Sequence, residues 1–505
     1  MAQTDIGRAW RAARNDRARR LRGSRNRDAG ARGQQRAKSS RSPRRYPAAR
    51  CLEVAEGLVQ ATVRADETSV FPRFLDLAYP NIERGEGVWL ETSDGQRILD
   101  ASSGGAMVAC LGHGVSEIAE AAARQAEQIA YFYNHHFTNR PQEELADRVI
   151  GLIPEMARVK FASGGSEANE TAVRLARTYH FDRGHRQRWR VISPAQAYHG
   201  STLGTLALSG RRRSLQHPYA EYMPAYLHIP PSTPRLDPTG EKALEELDRA
   251  LKEAGPDTVS AFFCEPISAA ALPAYSPPDR FWHGLAERRE KYGFVVCFDE
   301  IVTGMGRVGS WLAAHQIPFE PDIVTIGKGL GAGYTPLAAV LCREHVYDAL
   351  AEGSAEFDLG HTWDGAPLPC AVGLAVLDYI ERHKLVDRVR ERGPELKAQL
   401  AAALKESNMV GEVRGRGFLL GISLVDPRDG KSFLPHELDA ATLVDDIAFE
   451  RGLLVSSTHS TPDGFAGDEV LLAPAYTSTD DELEEMVERF SDTLEAVENA
   501  VKKKL

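Results

Sequence analysis

The chain has 505 residues, of which 43% are hydrophobic and 26% charged, and its formal net charge is -10. That is enough apolar sequence for one large core or two moderate ones, and the acidic balance excludes a global attraction to nucleic acid. Its six cysteines (Cys51, Cys110, Cys264, Cys297, Cys342 and Cys370) are scattered without a CxxC pair. This excludes a disulfide framework or a structural metal site and predicts reduced core thiols.

In chain order, the first fifty residues carry fifteen Arg and one Lys against Asp5, Asp16 and Asp28, so the basic excess is local and the remainder is strongly acidic. With few apolar side chains to offset the entropy of folding, residues 1–46 are predicted to be disordered. A transit-like leader, an arm for an anionic surface or a start assigned too far upstream would look the same. No apolar run is long enough for a membrane span, and a cytoplasmic protein without membrane or nucleic-acid partners is expected.

From Gly87, VWLETSDGQRILD reads as two short strands around an Asp94-Gly95 turn. Amphipathic helices follow at 116–128 and 141–153, the second opened by Pro141. Between about 158 and 345, the apolar runs RVKFA, RVISP, VSAFFCEP, GFVVCFDE, DIVTIG and LAAVLC alternate with helical stretches. This is the rhythm of an α/β domain whose mostly parallel sheet is buried on both faces. Charged helices at 378–404, 443–452 and 480–503, with short strands at GFLLGISLV and GLLVSS, predict a smaller α+β domain. The expected division is 1–46 (Arg-rich segment), 47–100 (N-terminal part of the small domain), 101–380 (large domain) and 381–505 (rest of the small domain).

Three strand ends carry chemistry. Residues 163–166, Ser-Gly-Gly-Ser, turn from a strand into a helix, where glycines admit close approach and free N–H groups favour an anion. Asp299 and Glu300 end a wholly apolar strand, where a carboxylate needs a cation, such as a protonated ring nitrogen or a metal ion, to offset desolvation. Lys328 follows another apolar strand among Gly327, Gly329, Gly331 and Gly333; partial burial there would favour a neutral, imine-forming amine. A phosphate cradle, a carboxylate for a pyridinium and an imine-forming lysine together are what pyridoxal phosphate requires.

From about residue 80 to the C-terminus the sequence resembles the class III aminotransferases of the fold type I pyridoxal-phosphate superfamily, with these motifs in the same order and spacing. The resemblance implies a large mostly parallel-sheet domain with a smaller α+β domain, and pyridoxal 5'-phosphate as cofactor. It implies that Gly165 and Ser166 hold the phosphate, Tyr198 stacks on the ring, Asp299 pairs with the ring nitrogen and Ile301 packs on the opposite face. Lys328 would form the Schiff base, and Thr362 would reach the phosphate of the neighbouring subunit, so a homodimer is expected. Glu265, at the end of another strand, is expected to brace the site. Glu167 and Asn169 read as capping or supporting groups, and His199 as an ordinary residue beside Tyr198.

The resulting expectation is ping-pong transfer of an amino group from an amine or an ω- or β-amino acid to a keto acid such as pyruvate. Ornithine and γ-aminobutyrate enzymes of the family usually carry a gating glutamate after the EP pair; here Ala270 stands at that place, which points to the amine:pyruvate, or ω-transaminase, branch. The mobile arginine of that branch has no counterpart, the nearest position being Gly464. Arg416, or else His459, is the candidate for the substrate carboxylate, and Tyr131, with Tyr133, Met107 and Val108, for the pocket. Other pyridoxal-phosphate reactions (racemisation, amino migration, decarboxylation) would use the same cofactor residues, and a non-catalytic scaffold is a remote alternative.

Overall fold

The computed structural model describes residues 62–210, 217–461 and 464–505; the Arg-rich segment and Cys51 lie outside the described residues. The described residues belong to one compact unit, organised by a seven-stranded sheet. Its spatial order is Arg158–Ala162, Ala338–Cys342, Ile323–Ile326, Val295–Glu300, Val259–Cys264, Arg190–Pro194 and Leu227–Ile229. The six apolar runs read from the sequence are all strands here; Leu227–Ile229 has too few residues to announce itself.

Strand direction fixes where side chains are delivered. Val295–Glu300 runs parallel to both Val259–Cys264 and Ile323–Ile326. Ala338–Cys342 is antiparallel to its two neighbours, Ile323–Ile326 and Arg158–Ala162. Two reversals restore the direction, so Arg158–Ala162 ends at the same edge as the others. That edge therefore receives Ser163, Glu265, Asp299 and Gly327-Lys328 together, which is where open α/β sheets bind ligands.

Alternation along the strands sorts neighbouring residues onto opposite faces. Val295 and Cys297 pack with Ala168, Ala172 and Leu175 of the helix Gly165–Asp182. Val296 and Phe298 pack with Trp282 and Phe319 on the other side. The same alternation carries Asp299 toward the first helix and Glu300 away from it. Trp282, Phe298 and Phe319 meet at centroid separations of 5.4 to 6.1 Å, a buried aromatic group whose truncation to Ala costs about 3–5 kcal/mol per ring.

The predicted hairpin is present: Trp89–Thr92 pairs antiparallel with Arg97–Asp100, and the Gly95 N–H closes the turn on Thr92. Its second strand also pairs with Leu453–Leu454, so early and late segments share one four-stranded sheet with Ile82–Glu86. A second four-stranded sheet contains Val410–Arg416, Leu419–Leu424, Glu469–Leu472 and Ser456–Thr458. The helix expected over 378–404 is two helices, Pro367–Arg382 and Leu385–Ala403. Lys384 breaks them by adopting φ +50, a left-handed turn that charge pattern cannot reveal. Helix starts follow local chemistry: Asn139 caps Arg140–Leu152 through Gln142 N–H, and Thr479 with Glu482 forms a capping box for Asp480–Lys502. Among the described residues, no helix is long and apolar enough to cross a membrane.

Candidate active site

At the common strand edge lies a cavity of about 240 Å³, lined by Ser163, Gly165, Ser166, Tyr198, Glu265, Asp299, Ile301 and Lys328, with Val108, Asn169 and His199. The three motifs, spread over more than 160 residues of sequence, thus share one cavity.

The anion end is built from the turn into Gly165–Asp182. Ser166 Oγ accepts from Ser201 N–H at 3.1 Å, holding the 198–201 loop against the helix start. Gly200 has φ +134, and a Cβ there would stand 2.4 Å from Ser166 Oγ, so the approach requires glycine. Ser163 Oγ is buried and has no hydrogen-bond partner. A backbone N–H cradle with an unused hydroxyl suits a phosphate. Ile301 projects between two glycines: a Cβ on Gly165 would lie 3.1 Å from it and one on Gly327 3.0 Å. Glycine at both places lets this side chain reach the cavity.

Asp299 is 6% exposed and held on both oxygens. Oδ2 accepts from Asn169 Nδ2 at 2.7 Å and pairs with His199 Nδ1 at 2.8 Å, while Oδ1 accepts from Ile301 N–H at 3.0 Å. Asn169 is fixed in turn by the Thr325 hydroxyl and the His199 carbonyl, each at 2.7 Å. Glu300 faces away and is fully buried, accepting from Thr303 Oγ and the N–H groups of Ala313 and Ala314. Burial raises its carboxyl above the usual range, and those three donors draw it back. It ties down the loop that carries Ile301.

Lys328 sits at φ +38 directly after Ile323–Ile326. Desolvation lowers its ammonium from the ordinary value to about 8; the Asp299 and Glu265 carboxylates oppose the drop, and the Arg307 guanidinium adds to it. Glu265 accepts from Tyr198 N–H, Ser268 Oγ and Ala269 N–H, and burial raises its carboxyl. The residues present therefore fit pyridoxal phosphate: an anion cradle with an idle donor, an oriented carboxylate, and an amine poised toward its neutral form.

Other sequence candidates lie elsewhere in this chain. Thr362 is exposed and outside the cavity. Tyr131 is 44% exposed and meets Trp363 edge-on at 5.8 Å. Tyr133 is exposed and stacks on His135. Val108 lines the cavity, whereas Met107 is buried in a separate cluster with Ile267 and Ala269. Arg416 donates to the Gln316 carbonyl at 2.9 Å and lines a different cleft with Lys397 and Arg390. His459 pairs with Asp439 at 2.7 Å. Asn169 and His199, read from sequence as supporting or ordinary residues, form the shell of Asp299. Asn169 could have been found from its position one turn after Gly165 on the same helix face; His199 and Thr325 carried no such signal.

Comparison with known proteins identifies the family. The class III aminotransferase family model matches residues 75–494. The aminotransferase YodT of Bacillus subtilis (strain 168) is 36% identical over 438 residues, covering 85% of this chain and 98% of the relative. A diaminobutyrate–2-oxoglutarate transaminase of Halomonas elongata is 31% identical, covering 83% and 91% respectively. Among solved structures, the omega transaminase of Pseudomonas jessenii in complex with PMP superposes with a TM-score of 0.78 at 28% identity, over 84% of this chain and 94% of that one. With the family model spanning most of the sequence and the fold shared with solved transaminases, the chain belongs to the class III aminotransferases, enzymes of fold type I that depend on pyridoxal phosphate.

Proposed function

We propose that this aminotransferase moves an amino group from an amine, or from an ω- or β-amino acid, to a keto acid such as pyruvate. The observation that carries the reading is the single cavity joining residues 163–166, Asp299 and Lys328. In this proposal Gly165 and Ser166 hold the cofactor phosphate, Tyr198 and Ile301 flank the ring, and Asp299 pairs with the ring nitrogen. When bound, pyridoxal phosphate supplies an aldehyde for imine formation and a ring that takes up an electron pair.

The chain's own residues do the rest. Lys328 would hold the cofactor through its Nζ, and once a donor amine takes its place that nitrogen would be positioned to accept a proton from the donor carbon bearing nitrogen. An amine lowered to about 8 has a useful neutral fraction near neutral pH, where an ordinary lysine has almost none. Asn169 and His199 fix the Asp299 carboxylate in one orientation, so it need not reorganise as charge moves in the ring. Glu265 braces the Tyr198 backbone. Val108 and Ile267 supply apolar wall beside Lys328 and favour the uncharged amine.

For the donor, Ala270 stands where a gating glutamate would be, and the missing carboxylate favours an amine donor over ornithine or γ-aminobutyrate; the Ala270 carbonyl is occupied by Thr458 Oγ1 at 2.9 Å. A homodimer is part of the same reading: Thr362, beside exposed Trp363 and Tyr131, would serve the phosphate of a second copy. We also propose the division at 100/101 and 380/381, supported by the sheet that joins Leu453–Leu454 to Arg97–Asp100. A cytoplasmic setting accords with five buried free cysteines.

The test is an absorbance spectrum of the purified protein before and after a panel of amines, then after pyruvate. A visible band that bleaches with an amine and returns with pyruvate is expected. Turnover without consumption of a keto acid would replace transamination by racemisation, amino migration or decarboxylation.

A further inference from the structure

The loop that leaves Asp299 and Glu300 carries another buried charge. Arg307 is fully enclosed, at 0% exposure. Its Nη1 donates to the carbonyls of Pro474 at 2.5 Å and Phe418 at 3.2 Å, and its Nη2 to Ser103 Oγ at 3.0 Å. Its Nε has no hydrogen-bond partner. All three acceptors are neutral, and among the described residues no carboxylate forms an ion pair with it. Asp100, a buried carboxylate within reach of its field, gives its oxygens to the N–H groups of Ser102 and Gly104.

An enclosed guanidinium with no carboxylate in hydrogen-bond contact carries a large desolvation cost that a charge at the distance of Asp100 offsets only in part. Its position gives the charge a use. The guanidinium lies over the ring of Tyr476, 4.7 Å from the centroid. The hydroxyl of that ring would stand 3.5 Å from a Cβ on Gly329, and Cys110 Sγ is 4.0 Å from the Gly329 carbonyl. One aromatic ring therefore separates Arg307 from the residue next to Lys328.

We propose that Arg307 is a positioning residue whose buried charge biases the Lys328 nitrogen toward its neutral form. A positive charge nearby disfavours adding a second one, and low dielectric lets the effect cross a ring. The groups facing Lys328 divide cleanly. Asp299, backed by His199, and Glu265 hold its proton on, and Arg307 opposes them. Tyr198 is on the cavity wall, and Tyr476 and Cys110 lie between. Burial raises both of these groups, the Cys110 thiol to about 11, so neither supplies an anion at neutral pH.

The inference rests on Lys328 bearing the cofactor, and the experiment separates the two. In the full-length holoenzyme, the visible absorbance of the lysine-bound cofactor is titrated against pH for the wild type, Arg307→Met and Arg307→Lys. On the same full chains stripped of cofactor, the pH dependence of Lys328 acetylation by acetic anhydride is read by peptide mass spectrometry. Removing the charge with Arg307→Met should raise both midpoints by about one pH unit. Arg307→Lys, which keeps a charge as long as the enclosed ammonium stays protonated, should shift both midpoints less than Arg307→Met does. Should Arg307→Met fail to fold, Arg307→Gln carries the test. A coloured charge-removing variant with unshifted midpoints overturns the proposal and makes the residue only a knot between segments. A protein with no visible band after reconstitution, or one whose band survives Lys328→Ala, would instead refute the assignment of Lys328.

Discussion

Replacing Asp299 with Asn keeps the side chain's shape while removing its charge, and the surroundings determine the cost. In the wild type, Oδ2 accepts from Asn169 at 2.7 Å and pairs with His199 at 2.8 Å. An amide nitrogen at that place would face two donors. Asn169 cannot turn its own amide without losing the Thr325 hydroxyl and the His199 carbonyl. If the new side chain turns instead, its NH2 meets the Ile301 N–H that Oδ1 now accepts at 3.0 Å. The charge-assisted bond to a ring nitrogen contributes about 1.5–3 kcal/mol, so Asp299→Asn should weaken cofactor retention by about 10- to 150-fold. Lys328 also loses the first of the carboxylates that oppose its desolvation, so its amine should titrate below about 8. Cofactor affinity is measured by absorbance titration of the stripped protein, and the lysine by pH-dependent acetylation. Affinity within threefold of the wild type, with an unmoved lysine midpoint, would refute the reasoning.

Lys328→Ala should abolish the visible band and amine-driven bleaching; normal turnover in that variant would sink the assignment. Thr362→Ala, on the exposed face, should lower cofactor affinity only if a second copy places it at the phosphate, so unchanged affinity in a dimer would count against the shared site. Glu469, paired with Arg414 at 2.5 Å, is raised by burial to about 7, with Arg414 drawing it down. Because its folded-state value lies above the unfolded one, its stabilising contribution is full below about pH 4.5 and fades as pH rises through about 7, amounting to about 3 kcal/mol. Glu469→Gln should therefore gain on the wild type between pH 5 and pH 8 in chemical denaturation; a gap independent of pH would remove this linkage.

The sequence by itself determined the strands and marked the polar groups at their ends. Runs such as VVCFDE are apolar at every position because both sheet faces are covered, so they identify themselves without knowledge of their neighbours. Glycine at 165, the carboxylate at 299 and the lysine at 328 are legible because each interrupts or follows an apolar strand. Only the tertiary structure decided which groups surround them. His199 and Asn169 meet Asp299 across 100 and 130 residues of chain, and Arg307 meets Phe418 and Pro474 across more than 100. Local pattern records how one element buries its own face, whereas these contacts arise from how separate elements cross. The break at Lys384 is legible in neither charge nor periodicity, because a left-handed turn at a lysine is imposed by the packing of the two helices it joins. The substitution of Ala270 for a glutamate was visible at once, but that Thr458 occupies its carbonyl was set by the docking of a strand nearly 190 residues away.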